Sequence, residues 1–577
     1  MPYIGKGWYL VDISRQNRLV RIFFIFLLCI IGLLYRFWEI QIINGDWYSH
    51  LALEQGSRGV YLEDVPRGNI LDRNMVSLTG TGMEDRIVVF PGALVDQAEV
   101  SRGLAEILGV DVSEVAGYLE GAPVYLPYEI NKAQSATVKK KGWTGVMVLP
   151  VRFRYGETPL FVHITGHLGR IVSREEFLDL SEESKKMYRY DDLVGKTGLE
   201  KIYELYLKGT RPQHAVRVFT DAGGRLLGGP EFKIEEQMED QERCDLVLTI
   251  DTRIQRVVEE IMDRRVARGA VVVMEAGTGD ILAMASRPGF NPASPEQYLD
   301  SMEKGRFLDR CTALYQPGSI FKIVVAAAAL EEGIAGSETT FNCRGNQDNL
   351  IHCWAEEGHG NIDFSHAFAQ SCNPAFARLG LILGATRVIQ YAEKLGFANQ
   401  SVTGYPVPFD SRQDLDLIGE PFNLVNSSVG QGPVLVTPLQ ITSMMNVIAS
   451  GGIYRQPRLV KEIRQGGGEV VRKYTSEQGR RVISPATARE LCALLELVVD
   501  AGVGKKANVP VFGSAGKTGS AQTGNGLINA WFTGYAPRLN PSLVVTVLLE
   551  QGTSGGESAA PVFSEIMERI LSLGRFD

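Results

Sequence analysis

Cysteine is scarce in this 577-residue sequence, which contains only seven. That number is far too small for a disulfide scaffold, and no C-x-x-C pair is present to indicate a structural zinc site. A basic excess is also missing, because 67 acidic residues outnumber 59 lysines and arginines to give a formal net charge of −8. A chain-wide nucleic-acid binder normally shows the opposite balance. The 62 glycines have no three-residue period, which excludes a collagen-like chain.

Long uncharged runs are equally rare, and one lies near the start of the chain. Residues 22–35 read IFFIFLLCIIGLLY, and the apolar pattern continues to Ile43. A helix over residues 22–43 would be roughly 33 Å long, which is enough to cross a bilayer. Trp38 suits the aromatic belt of a membrane interface. The sequence therefore predicts one membrane-spanning helix, with a cleaved signal peptide and a buried core helix as the alternatives.

The charges that precede this run predict its orientation. Only one acid, Asp12, stands among four basic residues, and no convincing small-x-small cleavage site follows the run. The positive-inside rule places such an N-terminus in the cytoplasm and everything after the helix outside it. The basic residues are Lys6, Arg15, Arg18 and Arg21.

The rest of the chain divides into two regions. Residues 44 to about 243 mix short apolar runs with modest helical segments, which is typical of a β-rich α+β region without an obvious chemical centre. Residues 269–288 then contain two apolar runs on either side of Gly277–Asp280, which predicts a β-hairpin. Helical stretches separate this hairpin from three late strands, so we expect an antiparallel sheet covered by helices. The late strands are predicted over residues 513–522, 530–535 and 542–549.

The second region carries three short motifs in a fixed order. Ser319 and Lys322 are three residues apart at the start of an alanine-rich helix, so their side chains share one helical face. A desolvated lysine beside a serine can lose its proton and act as a base for the hydroxyl. Ser371-Cys372-Asn373 follows 52 residues later, and alone such a segment is more often a helix N-cap.

The third motif, Lys517-Thr518-Gly519, lies on a predicted strand 146 residues further along. A glycine inside a strand often marks the close approach of a ligand or of another backbone. A second copy of the same tripeptide, at residues 196–198, lies before the first motif and has no strand pattern. The interpretation therefore depends on the order of the motifs and on their predicted secondary structure, because S-x-x-K, S-x-N and K-T-G in this order form one catalytic set.

With these motifs the sequence resembles the class B penicillin-binding proteins, which are membrane-anchored peptidoglycan D,D-transpeptidases. The resemblance covers most of the chain, and Met75 departs from it because the family usually has glycine there. The Ser371-Cys372-Asn373 motif is more similar to division-type or sporulation-type members than to elongation-type ones. The further matching segments are PRGNILDRN (66–74), VGKTGLE (194–200), GQG (430–432), TPLQ (437–440), AWF (530–532) and GYAP (534–537).

The resemblance implies a role for each catalytic residue. Ser319 would attack the D-Ala-D-Ala carbonyl of a stem peptide, and Lys322 would accept the serine proton. Ser371 would relay protons to the leaving amine near Lys517, and Asn373 would position the substrate and Lys322. A second stem peptide would then attack the acyl-enzyme to form the cross-link, whereas a β-lactam would stay on the serine. No cofactor or metal is implied.

The substrate contacts implied by the resemblance lie on the K-T-G strand. Thr518, Gly519 and Ser520 would bind substrate, with the two hydroxyls on its terminal carboxylate. The backbone amides of Ser319 and Ser520 would form the oxyanion hole.

The resemblance also implies the organisation of the chain in the bacterial cell membrane. A single-pass helix would hold the catalytic domain outside the cytoplasm, and a polytopic glycosyltransferase of the shape, elongation, division or sporulation type would be the partner protein. The expected parts are a cytoplasmic tail (1–21), a transmembrane anchor (22–43), a non-catalytic pedestal of the dimerisation type (44–243) and the transpeptidase domain (244–577).

Other functions share the three motifs and stay open. A serine β-lactamase and a D,D-carboxypeptidase both carry them, although a secreted β-lactamase would need neither the anchor nor the pedestal. A β-lactam sensor would carry several membrane spans. Zinc is not expected at Cys343, His352, Cys353 and His359, because their spacing fits no usual ligand pairing. A disulfide between Cys343 and Cys353 is possible outside the cell.

Overall fold

The computed structural model describes most of the chain and the elements within it. The described residues are 7–43, 57–184, 186, 188–210, 214–219, 233–236, 240, 242–299, 305–398, 400–407, 413–476, 478–524 and 526–574. The α-helices are Gly7–Trp38, Gln97–Leu108, Val112–Leu119, Lys132–Lys141, Val162–Thr165, Arg174–Ser184, Gly198–Ile202, Glu204–Leu207, Thr252–Arg265, Lys322–Glu331, Phe364–Ala369, Asn373–Leu383, Ala385–Lys394, Asn423–Ser428, Pro438–Ala449, Pro485–Asp500 and Ala560–Ser572.

The strands are short outside one central sheet. They are Ser57–Tyr61, Ile70–Leu71, Gly82–Val89, Val124–Tyr125, Val146–Phe153, Leu168–Arg170, Leu193–Gly195, His214–Phe219, Lys233–Glu236, Cys244–Leu248, Gly269–Glu275, Ile281–Arg287, Thr340–Cys343, Gly360–Asp363, Ile453–Tyr454, Val460–Gln465, Val470–Lys473, Arg480–Arg481, Ala515–Gln522, Ile528–Ala536 and Leu543–Gly552.

The predicted apolar segment is helical. The helix Gly7–Trp38 continues as a short π-helical segment, Glu39–Ile43, and Arg36 donates to the carboxylate of Glu39 at 2.5 Å. Residues 18–42 are long and apolar enough to cross a membrane, and their window is 0% buried by protein. Fully exposed leucines and phenylalanines need an apolar environment, so this helix supports membrane anchoring. Of the predicted basic flank, Lys6 lies outside the described residues.

The chain forms two compact units. The first consists of residues 1–63, 84–151 and 213–238, and the second of residues 64–83, 152–212 and 239–577. In the first unit Val88 and Val89 pair with Tyr125 and Val124, and helices cover the resulting sheet with a small apolar core. The predicted boundary between residues 243 and 244 divides the chain differently and stays a prediction.

The second unit is built on a five-stranded antiparallel sheet. Its strands are β1 (Gly269–Glu275), β2 (Ile281–Arg287), β3 (Ala515–Gln522), β4 (Ile528–Ala536) and β5 (Leu543–Gly552), in the spatial order β2-β1-β5-β4-β3. The predicted hairpin and the three predicted late strands are thus confirmed. Because β3 pairs on only one side, its other edge is available for a further extended chain.

Both faces of this sheet are buried under helices. Ala270, Val272 and Met274 join one core, and the alternate residues Val271 and Val273 join a second. Side chains of a strand alternate between faces, so the unbroken apolar run from Ala270 to Met274 indicates two covered faces. The helices Lys322–Glu331, Pro438–Ala449 and Pro485–Asp500 contribute to the first core, and Thr252–Arg265 and Ala560–Ser572 to the second. The predicted α+β architecture is confirmed.

A buried ionic cluster joins Arg67 of the RGNILDRN segment to Glu200 of the GLE segment. Arg67 and Arg154 both reach the carboxylate of Glu200, at 2.6 and 2.7 Å, and Arg67 also reaches Glu204 at 2.7 Å. Burial opposes ionisation of Glu200, but the charges of Arg154 and Arg67 outweigh it and lower the pKa of this carboxyl. The cluster therefore exists as buried, mutually compensated charges.

Glu200→Ala is expected to destabilise this unit by about 3–5 kcal/mol, because it leaves two arginines buried without their shared carboxylate. The denaturant midpoint of the transition that reports on the second unit should fall accordingly. Glu260→Ala removes a carboxylate from an exposed ion pair with Arg569 and serves as the control, with little change expected. Equal midpoints for the two variants would contradict a structural role for the cluster.

Met75 occupies a conformation that favours glycine. Its φ is +65°, its side chain is 46% exposed, and its amide donates to the carbonyl of Asp72 in a tight turn. Met75→Gly should raise the free energy of unfolding by roughly 0.5–1 kcal/mol, since relief of left-handed strain outweighs the added chain entropy. Thermal denaturation of the two proteins measures the difference, and a lower melting temperature for the glycine variant would contradict it.

Candidate active site

The first motif lies at a sharp entry into a buried helix. Gly318–Phe321 forms a 3-10 turn that leads into the helix Lys322–Glu331. Gly318 has a φ of +54°, donates its amide to the carbonyl of Gly430 at 2.9 Å, and lies so near the backbone of Ser520 that a Cβ would come within 2.8 Å of its carbonyl oxygen. Only glycine fits that turn, which presents the half-buried Ser319 to the adjacent cleft.

Lys322 is fully buried and its Nζ atom has three polar neighbours. It donates to the carbonyl of Ser371 at 2.7 Å and to Oδ1 of Asn373 at 2.7 Å, and it lies 3.2 Å from Oγ of Ser371. Burial lowers the pKa of Lys322 to about 8, although the neighbouring thiols of Cys372 and Cys353 oppose the shift. About a tenth of this lysine is therefore neutral at pH 7 and about half at pH 8.

The second motif lies on a strained turn between two helices. Ser371 has a φ of +56°, which non-glycine residues rarely adopt, and is 5% exposed. Its hydroxyl lies between two lysines, because Nζ of Lys517 is 3.1 Å from the same Oγ atom that faces Lys322. Burial and the charge of Lys322 hold the pKa of Lys517 well below its usual range. The arrangement connects the two amines through one hydroxyl.

The third motif forms part of the edge strand β3. Gly519 packs against the serine turn so closely that a Cβ there would come within 2.6 Å of the carbonyl of Pro317. Thr518 is buried and Ser520 is exposed, and Oγ of Ser520 accepts a hydrogen bond from the amide of Gly555 at 3.0 Å. Thr518 and Ser520 both line the cleft, so hydroxyls of the strand face a ligand there.

These parts surround one cleft of about 1080 Å³. A volume of that size suits a peptide-like ligand. Its lining includes Ser319, Ile351, His352, Trp354, Ser371, Asn373, Asn426, Gln431, Thr518, Ser520, Gln522, Thr553 and Glu557. The tertiary structure thus brings together all three motifs predicted from the sequence, and their individual catalytic roles stay predictions.

The second K-T-G copy lies in a different setting. Thr197 is the N-cap of the short helix Gly198–Ile202, and Lys196 pairs with Glu176. Within the described part of the chain, these contacts include no counterpart of the serine turn, and the family resemblance accounts for this copy as part of the structural VGKTGLE segment.

The spacing of residues along the chain did not reveal one group of cysteine and histidine side chains that the structure brings together. Cys343, Cys353, His359 and Cys372 lie far apart in sequence, but their sulfur and ring-nitrogen atoms are all within 4.8 Å of one another. The sequence-based expectation concerned His352 instead of Cys372 and stays a prediction, because spacing along the chain does not measure distance across two loops. Each cysteine is a free thiol in this structure, including Cys343 and Cys353. A hydrogen bond from Cys372 lowers the pKa of the Cys353 thiol.

Comparison with known proteins agrees with this geometry. A family model described as the penicillin-binding protein transpeptidase domain matches residues 269–568, and one described as the penicillin-binding protein dimerisation domain matches residues 62–238. Stage V sporulation protein D of Bacillus subtilis is 30% identical over 92% of this chain and 82% of its own length. The peptidoglycan D,D-transpeptidase MrdA of Acinetobacter baumannii is 27% identical over 96% of this chain and 88% of its own length.

A solved structure is similar over almost the whole chain. It is described as "Structural coordination of polymerization and crosslinking by a peptidoglycan synthase complex", and it has 25% identity, a TM-score of 0.68 and coverage of 97% of this chain and 99% of the solved one. The transpeptidase model alone spans more than half of the 577 residues. This chain therefore belongs to the penicillin-binding protein family and combines its transpeptidase domain with its dimerisation domain.

Proposed function

We propose that this chain cross-links peptidoglycan stem peptides through an acyl-enzyme on Ser319. The observation that carries the proposal is the convergence of Lys322, Ser371, Asn373 and Lys517 beside that serine at the edge of a peptide-sized cleft. Family membership supports the same serine-type D,D-transpeptidase chemistry.

The hydrogen bonds of Lys322 suit a general base. Two of its three neighbours, the carbonyl of Ser371 and Oδ1 of Asn373, can only accept hydrogen bonds. The two N–H groups of a neutral amine satisfy them, and the lone pair is left for a hydroxyl proton. Burial already favours the neutral amine. Lys322 therefore removes the proton of Ser319 as its Oγ atom attacks the carbonyl of the penultimate D-alanine.

Collapse of the tetrahedral intermediate breaks the peptide bond to the terminal D-alanine. The leaving amine needs a proton, and the Oγ atom of Ser371 can deliver one because it lies within 3.2 Å of both lysine amines. The proton taken by Lys322 thus returns to the product along Ser371. The amine of a second stem peptide then attacks the ester carbonyl, and this step is the reverse of acylation. It forms the cross-link and releases the hydroxyl of Ser319.

Strand β3 would position the substrate. Its free edge can pair with an extended peptide, as in other cases of strand addition. The hydroxyls of Thr518 and Ser520 would bind the terminal carboxylate, with Gly519 allowing the strand to approach the serine turn. The amides of Ser319 and Ser520 would stabilise the oxyanion.

The membrane arrangement follows from the helix and the charges before it. Arg18 and Arg21 at the N-terminal end favour a cytoplasmic N-terminus, with the catalytic domain outside the cytoplasm. The similar solved structure is described as a peptidoglycan synthase complex that coordinates polymerization and crosslinking, which supports a membrane-embedded glycosyltransferase as the partner of this chain.

The relatives include both a sporulation protein and MrdA transpeptidases. Depletion of the chain in the native bacterium would therefore identify its cellular process, through either a change of cell shape or a defect in spores.

The reaction itself is tested with the full-length chain in detergent and with glycan strands that carry pentapeptide stems. We expect release of free D-alanine together with cross-linked muropeptides, both abolished by prior treatment with benzylpenicillin. D-Alanine release without cross-links would instead indicate a carboxypeptidase. Rapid, repeated hydrolysis of benzylpenicillin would indicate a β-lactamase, and slow acylation without either product would indicate a sensor.

A further inference from the structure

Three cysteines and a histidine form a compact cluster behind one wall of the cleft. The side-chain ligand atoms of Cys343, Cys353, His359 and Cys372 lie within 4.8 Å of one another. The three thiols are at most 4% exposed. Donor atoms bound to one tetrahedral zinc ion lie about 3.3–3.8 Å apart, so small side-chain shifts close this group around an ion.

Protein groups satisfy the imidazole of His359 poorly, although the Cys353 sulfur accepts hydrogen bonds from the thiol of Cys372 and from backbone amides. Nδ1 of His359 faces the Cys353 sulfur at 3.6 Å, a long contact to a weak acceptor. The other ring nitrogen, Nε2, is buried and has no hydrogen-bond partner within the part of the chain that the structure describes. A buried imidazole with an orphaned nitrogen, set among three thiols, indicates that a ligand is expected there.

The backbone segments that carry the cluster pack closely against one another. Cys343 ends a strand and pairs with Gly360, directly after His359. The loops that carry them pack backbone to backbone, because a Cβ on Gly345 would come within 2.0 Å of the carbonyl of Glu356 and one on Gly358 within 2.3 Å of the carbonyl of Cys343. These two positions require glycine because a larger side chain would prevent the loops from packing so closely.

We propose that Cys343, Cys353, His359 and Cys372 bind one zinc ion as a closed, structural Cys3His site. Three sulfurs and one imidazole nitrogen are the soft ligand set that tetrahedral zinc prefers, and four protein ligands leave no open position for catalysis by the metal. The ion draws its ligands from two separate segments, residues 343–359 and the second catalytic motif.

The site is placed to hold the catalytic geometry. Cys372 lies between Ser371 and Asn373, both of which contact Lys322, and the turn is held at the unfavourable φ of Ser371. A zinc–sulfur bond would fix that turn. On the other side, the loop that carries Cys353 also carries Trp354, which lines the cleft and donates to the carbonyl of Gln370 at 2.9 Å. This consequence rests on the function proposed above, whereas zinc binding itself does not.

The test measures zinc directly in the full-length chain, purified in detergent under reducing conditions and dialysed. We expect about one zinc per chain by elemental analysis. Exchange for cobalt should give the intense visible bands of a tetrahedral site together with sulfur-to-cobalt charge transfer. This spectrum requires no variant and no activity, so it stays informative if a substitution prevents folding.

Two variants locate the metal. Cys343→Ser should lower bound zinc at least tenfold and remove the cobalt charge-transfer bands. Cys492→Ser, which changes a half-buried cysteine outside the cluster, should leave both unchanged. Folding of each variant is checked by circular dichroism, and acylation by fluorescent penicillin reports separately on the catalytic serine.

Two results would overturn the proposal. One is a folded wild-type chain that holds less than a tenth of an equivalent of zinc after incubation with the metal. The other is a Cys343–Cys353 or Cys353–Cys372 disulfide in unreduced peptides of the active, native chain, because a disulfide removes two of the four ligands. Neither result bears on acylation of Ser319, so the two proposals can fail separately.

Discussion

Ser319→Ala is expected to abolish covalent labelling of the full-length chain by a fluorescent penicillin. The nucleophilic oxygen is the atom that forms the acyl bond, and none of the other hydroxyls in the cleft lies at the start of the buried helix beside Lys322. Labelling after an hour should fall by more than about 10³-fold. The measurement is in-gel fluorescence, with intact-protein mass spectrometry to count the added drug.

Ser371→Ala is the matched control for this prediction. This substitution also removes a hydroxyl from the cleft, one that lies 3.2 Å from Nζ of Lys322, but it leaves the Oγ atom of Ser319 in place. We expect slower labelling that still goes to completion. Persistence of the label in Ser319→Ala at the wild-type rate would refute the nucleophile assignment, and mass spectrometry of the labelled peptide would then identify the true one.

Lys322→Ala should lower the rate of acylation by about 10³-fold or more, because the buried base that accepts the serine proton is lost. The wild-type rate should also depend on pH with a defined sign. Since burial lowers the pKa of Lys322 to about 8, the reactive neutral amine becomes scarce below that pH. The rate should therefore fall about tenfold per pH unit below about 8 and level off above it. Stopped-flow measurement of acylation between pH 5 and 9.5 tests both expectations.

Lys506 provides the control for the pH profile. It is an exposed lysine, paired with Glu557 beside the same cleft, and Lys506→Ala should leave the profile unchanged. A profile that is flat through pH 6 to 9 in the wild type would exclude Lys322 as the titrating base. So would an unchanged break point in Lys322→Ala, which would transfer the titration to another group.

Much of the catalytic unit could be predicted because its signals are local. Two apolar runs on either side of Gly277–Asp280 predicted the hairpin of β1 and β2, and a further continuous apolar run predicted the buried strand β5, because strands covered on both faces are apolar along their length. The sequence also predicts a helix start at Pro485 with Ser484 as its N-cap, and in the structure Oγ of Ser484 accepts from the amide of Thr487 at the start of the helix Pro485–Asp500. Helix capping and apolar periodicity act within a few residues, so the sequence alone was sufficient to predict these elements.

The sequence by itself determined that the chain carries one apolar helix, a helix-covered antiparallel sheet, and three motifs in catalytic order. Only the tertiary structure decided that Ser371 lies between Lys322 and Lys517 and that Cys372 meets Cys343, Cys353 and His359. Distances across loops depend on how separate segments pack, and no local pattern encodes them. The sequence analysis weighed Cys343 and Cys353 without Cys372 for that reason, because Cys372 belongs to a motif identified for another purpose.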